Sequence, residues 1–205
     1  MTPSALLTDF DGVLRLWPPV ESETEAEFGL PSGAVRREAF EPSLLSKVST
    51  GQLTDTAWRT VVAQRLSERY PWSQASEAVA RWSEPCGELD PEVFQLLQGV
   101  RAHLSLILVT NATDRLPRDL EALGLGNAFD GIANSSQLGH AKPSPVVFEH
   151  ALALANCPAS RALYVDDSPI NVKAAAELGI RALHYTGVES LRAFIQERVL
   201  PPNAA

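Results

Sequence analysis

From Glu88 onward the chain alternates short apolar runs with amphipathic stretches of helical length, and this rhythm restricts the possible folds more than any other feature. Residues 104–109 are apolar apart from Ser105, residues 162–165 and 180–184 are shorter strand candidates, and residues 128–133 form a weak one. Helical signals fall between them. Asp90-Pro91 sets an N-cap before a proline at the first helical position, and Val93, Leu96, Leu97 and Val100 then repeat at i, i+3, i+4 and i+7. Residues 114–123 read as a helix closed by Gly124. Ser144-Pro145 opens another, with Val147, Phe148, Leu152 and Ala155 on its inner face. Ser168-Pro169 caps a third that stops at Gly179, residues 190–199 form the last, and residues 201–205 are expected to fray. Strands joined by helices of this length predict an α/β fold, a parallel sheet with helices on both faces.

One further strand lies far from the others. Residues 5–7 form an apolar run, and residues 16–84 then carry no strand signal, only helical stretches separated by Pro and Gly. The clearest spans 54–69, with Trp58, Val61, Val62, Arg65 and Leu66 at helical spacing, followed by 73–82. The expected organisation is a Rossmann-like core made of residues 1–14 and 86–205, with an all-α cap inserted at 15–85. Trp58, Trp72 and Trp82 are expected to build a small helical core within the insertion.

A chain of 205 residues can bury a sizeable core, and 45% hydrophobic with 20% charged residues is ordinary for a globular protein. A formal charge of −8 argues against a nucleic-acid surface, which needs clustered Lys and Arg. Cys86 and Cys157 have no metal-ligand or disulfide-framework spacing, and no apolar run approaches a membrane span. A cytoplasmic protein with neither membrane nor nucleic-acid partner is expected; its oligomeric state is not legible.

Polar residues collect just after the strands. Residues 5–7 run into Thr8-Asp9-Phe10-Asp11-Gly12, and continued extension would point Asp9 and Asp11 to one side. Paired carboxylates repel unless protonated or bridged by a cation, and magnesium suits carboxylates that share a site with phosphate oxygens. Thr110-Asn111 follows the second core strand, and Asp166-Asp167 follows a later one. Lys142, in Gly139-His140-Ala141-Lys142-Pro143, precedes a helix. In a parallel sheet these positions share one edge. Four carboxylates, one ammonium and two small hydrogen-bonding side chains suit metal-assisted phosphoryl transfer.

These stretches, in this order, resemble the haloacid dehalogenase superfamily, in the branch whose helical cap follows the first strand. The matching segments are Asp9-Phe10-Asp11-Gly12-Val13, Val109-Thr110-Asn111, Gly139-His140-Ala141-Lys142-Pro143, and Val165-Asp166-Asp167-Ser168 through Asn171. The resemblance implies a magnesium-dependent phosphatase for a small phosphorylated metabolite. Asp9 would be the nucleophile, and Asp11 the acid/base with its backbone carbonyl on the metal. Thr110 and the Asn111 backbone N–H would hold phosphoryl oxygens, and Lys142 would neutralise them. Asp166 and Asp167 would complete the metal site, with Asn171 as a supporting polar residue. The loop at 47–58 resembles the one that capped relatives use to contact substrate, with Lys47 and Gln52 as the expected readers. A sugar-phosphate phosphomutase would share these residues; a 2-haloacid dehalogenase is disfavoured by Asp11, and a non-catalytic regulatory member by the complete carboxylate set.

Overall fold

The computed structural model describes residues 2–199, so the expected frayed tail lies outside the described residues. Strand β1 (Ala5–Thr8) is followed by a two-residue strand, β2 (Arg15–Leu16). Five helices come next: α1 (Val20–Glu27), α2 (Ala34–Ala39), α3 (Pro42–Ser49), α4 (Asp55–Arg69) and α5 (Ala75–Ser83). Then come β3 (Glu88–Leu89), α6 (Pro91–Arg101), β4 (Ser105–Thr110) and α7 (Leu116–Ala122). The chain continues through β5 (Gly131–Asn134), the single turn α8 (Ser135–Leu138) and α9 (Pro145–Leu154). It ends with β6 (Ala162–Asp166), α10 (Pro169–Glu177), β7 (Arg181–His184) and α11 (Val188–Arg198).

Five strands make one parallel sheet in the order β5-β4-β1-β6-β7, with helices on both faces. The central strand β1 is buried on both sides, which is why its sequence is continuously apolar. On one face Leu6, Leu106, Leu108, Leu163 and Val165 pack with residues of α6, α7 and α11. On the other, Leu7, Ile107, Val109 and Tyr164 pack with Val147, Phe148 and Ala151 of α9 and Ala175 of α10. Because every strand runs the same way, the ends of β1, β4 and β6 fall on one edge, where the polar residues collect.

The α1–α5 segment has an apolar cluster of its own, including Val35, Val62, Leu66, Val79 and the edge-to-face pair Trp58–Trp82. Trp72 does not join it: it is 68% exposed, stacked edge-on against Tyr70. Helix α4 ends at Arg69, ahead of Pro71, so Trp72 lies beyond the helical face that would have carried it inward. Residues 16–84 carried no strand signal, yet Leu16 lies in β2, which pairs antiparallel with β3 where the chain enters and leaves the insertion. Two residues per strand are too few for a period-2 pattern to register. No helix among the described residues is long and apolar enough to cross a membrane.

The insertion also touches the core away from this hairpin. Gly51 has φ +70, and a Cβ there would overlap the Ser136 carbonyl of α8. The Asp55 backbone N–H donates to Asp114 Oδ1 at 2.7 Å, and Thr113 Oγ1 donates to Asp55 Oδ1 at 3.2 Å. Gly51→Ala is expected to cost about 2–4 kcal/mol, from left-handed strain plus the steric clash, and to lower the melting midpoint by roughly 5–15 °C. Gly29 has φ +64 with open space around its Cβ position, so Gly29→Ala isolates the strain alone. Equal losses in thermal denaturation would show that the Gly51–Ser136 contact is not needed.

Candidate active site

The carboxyl edge of the sheet gathers Asp9, Asp166 and Asp167, each offering an oxygen within 4.8 Å of the others. Asp9 follows β1 and is only 7% exposed; Asp166 is the last residue of β6 and fully buried. Lys142, 6% exposed, reaches in from the loop before α9. Its Nζ lies 2.7 Å from Asp9 Oδ1 and 2.8 Å from Asp166 Oδ2. Asp166 is held from several sides. The Ser168 backbone N–H donates to its Oδ1 at 2.7 Å, Asn171 Nδ2 donates to both oxygens at 3.1 and 3.2 Å, and the Tyr164 hydroxyl donates to Oδ2. Ser168 therefore contributes its amide here, and its side chain makes no capping bond to α10, contrary to the cap expected from sequence.

The loop carrying Lys142 is clamped by Asn111. Asn111 Nδ2 donates to the Lys142 carbonyl at 3.0 Å, and the Lys142 N–H donates to Asn111 Oδ1 at 2.7 Å. Thr110, buried at the end of β4, precedes this residue on the same edge. Gly12, at φ +79, lies so close to Asp167 that any Cβ would overlap its carboxylate.

Asp11 faces elsewhere than extension predicted. β1 ends at Thr8, and the chain turns so that the Phe10 carbonyl accepts from the Leu14 and Arg15 N–H groups. The Asp11 carboxylate takes Arg15 Nε on Oδ1 at 2.7 Å, Arg15 Nη2 on Oδ2 at 2.9 Å, and Trp17 Nε1 on Oδ1 at 2.7 Å. Its side chain thus stands apart from the Asp9, Asp166 and Asp167 oxygens. It opens instead into a cavity of about 800 Å³ between the sheet edge and the insertion. The 47–58 loop contributes Val48, Ser49, Asp55 and Trp58 to that cavity, rather than the expected Lys47 and Gln52, which are exposed outside it.

Sequence reasoning did not single out Tyr164, Arg15 or Trp17. Tyr164 precedes Asp166 by two residues on one strand, so alternation puts both on one face. Arg15 is a lone charge between Leu14 and Leu16, a sign of a cation with a buried partner. It is 4% exposed, bonded to Asp11 and to Asp119 (Nη1–Oδ2, 3.1 Å), with its guanidinium carbon 4.2 Å from the Phe10 ring centroid and 4.6 Å from that of Trp17.

A profile of the haloacid dehalogenase-like hydrolases matches residues 3–179. The chain belongs to that family. Haloacid dehalogenase-like hydrolase domain-containing protein 3 of Bos taurus is 30% identical over 118 residues, 53% of this chain and 47% of the relative, so the chain spans about half of that relative's length. The sesquiterpene phosphatase astK of Aspergillus oryzae is 26% identical over 187 residues, 90% of this chain and 91% of that one. Among solved structures, the haloacid dehalogenase-family enzyme bt-2542 of Bacteroides thetaiotaomicron, in complex with magnesium and inorganic phosphate, superposes with a TM-score of 0.71 at 21% identity, over 88% of this chain and 93% of that one.

The donor set of this family member fits a hard divalent cation. It offers carboxylate oxygens alone, converging from two strand ends, with a net negative charge that one ammonium does not cancel. The electrostatics say the same. Burial, set against the attraction of Lys142 and reinforced by the Asp166 charge, pushes the Asp9 carboxyl up to about 7. Burial acts on Asp166 too, but Lys142 and the hydrogen bonds from Lys142, Tyr164 and Ser168 hold it below the usual carboxylate range. Burial and the Asp166 charge push Asp167 up. Burial thus outweighs the attraction of Lys142 at Asp9, which keeps its proton to near neutrality.

The folded protein holds the Asp9 proton more tightly than the unfolded chain, whose carboxyl titrates at about 4. This stabilising contribution is present below pH 4 and is lost as pH rises through about 7. In chelator, the denaturation midpoint of the protein is therefore expected to fall between pH 4 and 7, and Asp9→Asn to flatten that slope. Parallel profiles for the two proteins in urea titrations would show that Asp9 is not the buried acid.

Proposed function

We propose that this hydrolase is a magnesium-dependent phosphatase that forms an aspartyl-phosphate on Asp9, with residues 1–14 and 86–205 as catalytic core and 15–85 as a cap over the substrate. The observation that carries the reading is the division of labour between the two aspartates. Asp9 is buried against Lys142 and two further carboxylates, while Asp11 is held apart by Arg15 and Trp17 with its carboxylate in the adjoining cavity. A nucleophile and a leaving-group acid need such opposite placements.

In this reading the Asp9 carboxylate attacks phosphorus in line and the bond to the leaving oxygen breaks, while Asp11 gives that oxygen a proton. Asp11 then takes a proton from the water that attacks the acyl phosphate, which releases inorganic phosphate and restores Asp9. Lys142, the Thr110 hydroxyl and the Asn111 backbone N–H hold and neutralise the phosphoryl oxygens. The Asn111 side chain, bonded to both backbone groups of Lys142, keeps the ammonium in register. Asp9, Asp166 and Asp167, with the Asp11 carbonyl, would hold the magnesium, which supplies the charge neutralisation that favours an ionised Asp9 beside a phosphate dianion. The phosphatase relative from Aspergillus and the phosphate-bound bt-2542 structure support this reading.

Turnover of 4-nitrophenyl phosphate is expected to vanish in chelator and return with magnesium. Asp9→Asn should abolish turnover and any phosphoenzyme. Asp11→Asn should lower kcat by roughly 10²–10⁴-fold on alkyl phosphates and by less on 4-nitrophenyl phosphate, whose leaving group needs little protonation. Full activity in chelator, or turnover by Asp9→Asn, would overturn the proposal.

A further inference from the structure

The cavity beside Asp11 is large for a small polyol or acid, within the range of sites that enclose drug-sized ligands. Trp17, Phe40, Leu45, Trp58 and Trp82 are among the apolar residues that line it. Phe40 and Leu45 are exposed within an otherwise buried neighbourhood, and Phe40 meets Trp58 and Trp82 edge to face at 6.2 and 6.3 Å between ring centroids.

The charged groups in its wall already have partners. Arg15 and Arg115 both bind Asp119, at 3.1 and 2.6 Å. Arg59 lies 2.7 Å from Asp55, and Arg36 pairs with Glu21 at 3.3 Å while lying over the Phe40 ring. Glu25 accepts the Gly33 and Val35 N–H groups at 2.8 and 2.9 Å. Neutral polar groups are turned away too. Trp58 Nε1 donates to the Ala39 carbonyl at 2.9 Å, and Trp17 Nε1 donates to Asp11. The hydroxyls of Ser22, Ser49 and Ser83 donate to nearby backbone carbonyls of Pro19, Ser46 and Ala80. A polyhydroxylated or anionic leaving group would have to give up its water to a wall whose charged groups are mostly engaged with one another, a penalty that apolar surface does not incur.

From this wall we infer that the leaving group is an uncharged, largely apolar alcohol with the bulk of a ring system or a branched chain. The inference rests on the phosphatase reading, because it assigns the cavity to the alcohol side of the ester. The apolar alcohol lies against Phe40, Leu45 and the two insertion tryptophans, and its ester oxygen points to Asp11. Selectivity follows from transfer out of water: an apolar side chain of this size gains roughly 10- to 100-fold in binding when enclosed.

The test uses the full-length protein with magnesium and three alkyl phosphates: 3-phenylpropyl phosphate, ribitol 5-phosphate and 2-phosphoglycolate. The 3-phenylpropyl ester should have kcat/KM at least about tenfold above the other two. Phe40→Ala should raise its KM severalfold more than it raises that for ribitol 5-phosphate. Leu45→Asn, at an exposed position that tolerates polarity, should do the same and serves if Phe40→Ala does not fold. A preference for the polyol or anionic ester, or equal effects of the variants on all three, overturns the inference and leaves the phosphatase reading standing. Failure to hydrolyse any of them, with 4-nitrophenyl phosphate also untouched, overturns the phosphatase reading and this inference with it.

Discussion

The Lys142 ammonium, enclosed between Asp9 and Asp166, joins loops from opposite sides of β1 into one site. Two carboxylates and a cation removed from water stay together only if their remaining polar atoms find partners. Asp166 obtains them from Tyr164, Ser168 and Asn171, and Asp9 from the Phe10 N–H at 2.7 Å. The unequal sharing matters: hydrogen bonds from Lys142, Tyr164 and Ser168 favour the ionised form of Asp166, whereas burial of Asp9, with fewer such bonds, pushes its carboxyl up. Three carboxylates thus share one ammonium, which leaves the edge with more acidic groups than cations.

A second buried cation organises the boundary with the insertion. Arg15 lies between the Phe10 and Trp17 rings and bonds to Asp11, Asp119 and the Cys86 carbonyl at 3.4 Å. Asp119 is shared with Arg115, whose guanidinium also donates to the Ser83 and Pro85 carbonyls at 2.6 and 2.8 Å. Gly87, at φ +84, leaves room for the Arg15 stem, which a Cβ would meet at 2.7 Å. The orientation of the Asp11 carboxylate and the segment leading out of the insertion are thus fixed by the same group.

Much of this was legible in the sequence because it follows from local rules. Asp90-Pro91 starts α6 with Asp90 Oδ1 accepting from both Glu92 and Val93 N–H, as the dipeptide predicts. The strand ends collect Asp9, Thr110 and Asp166 because a parallel sheet allows little else. What depended on tertiary contact was harder to read. The direction of Asp11 is set by Arg15 and Trp17 after the strand has stopped, so alternation was the wrong rule there. Trp72 looked like core by composition, but core membership depends on which face a broken helix presents. The β2–β3 pair is held by its neighbours, with no periodicity of its own.

That small pair has a consequence for how such a protein is assembled and inherited. Arg15 lies opposite Leu89 and Leu16 opposite Glu88, so the chain leaves the core and returns to it on adjacent strands about 5 Å apart. The gap that remains if the intervening helices are excised is therefore one that a tight turn can bridge. No strand of the five-stranded sheet comes from the helical segment. The helical segment can therefore change in length while the strand order and the carboxylate edge of the sheet persist.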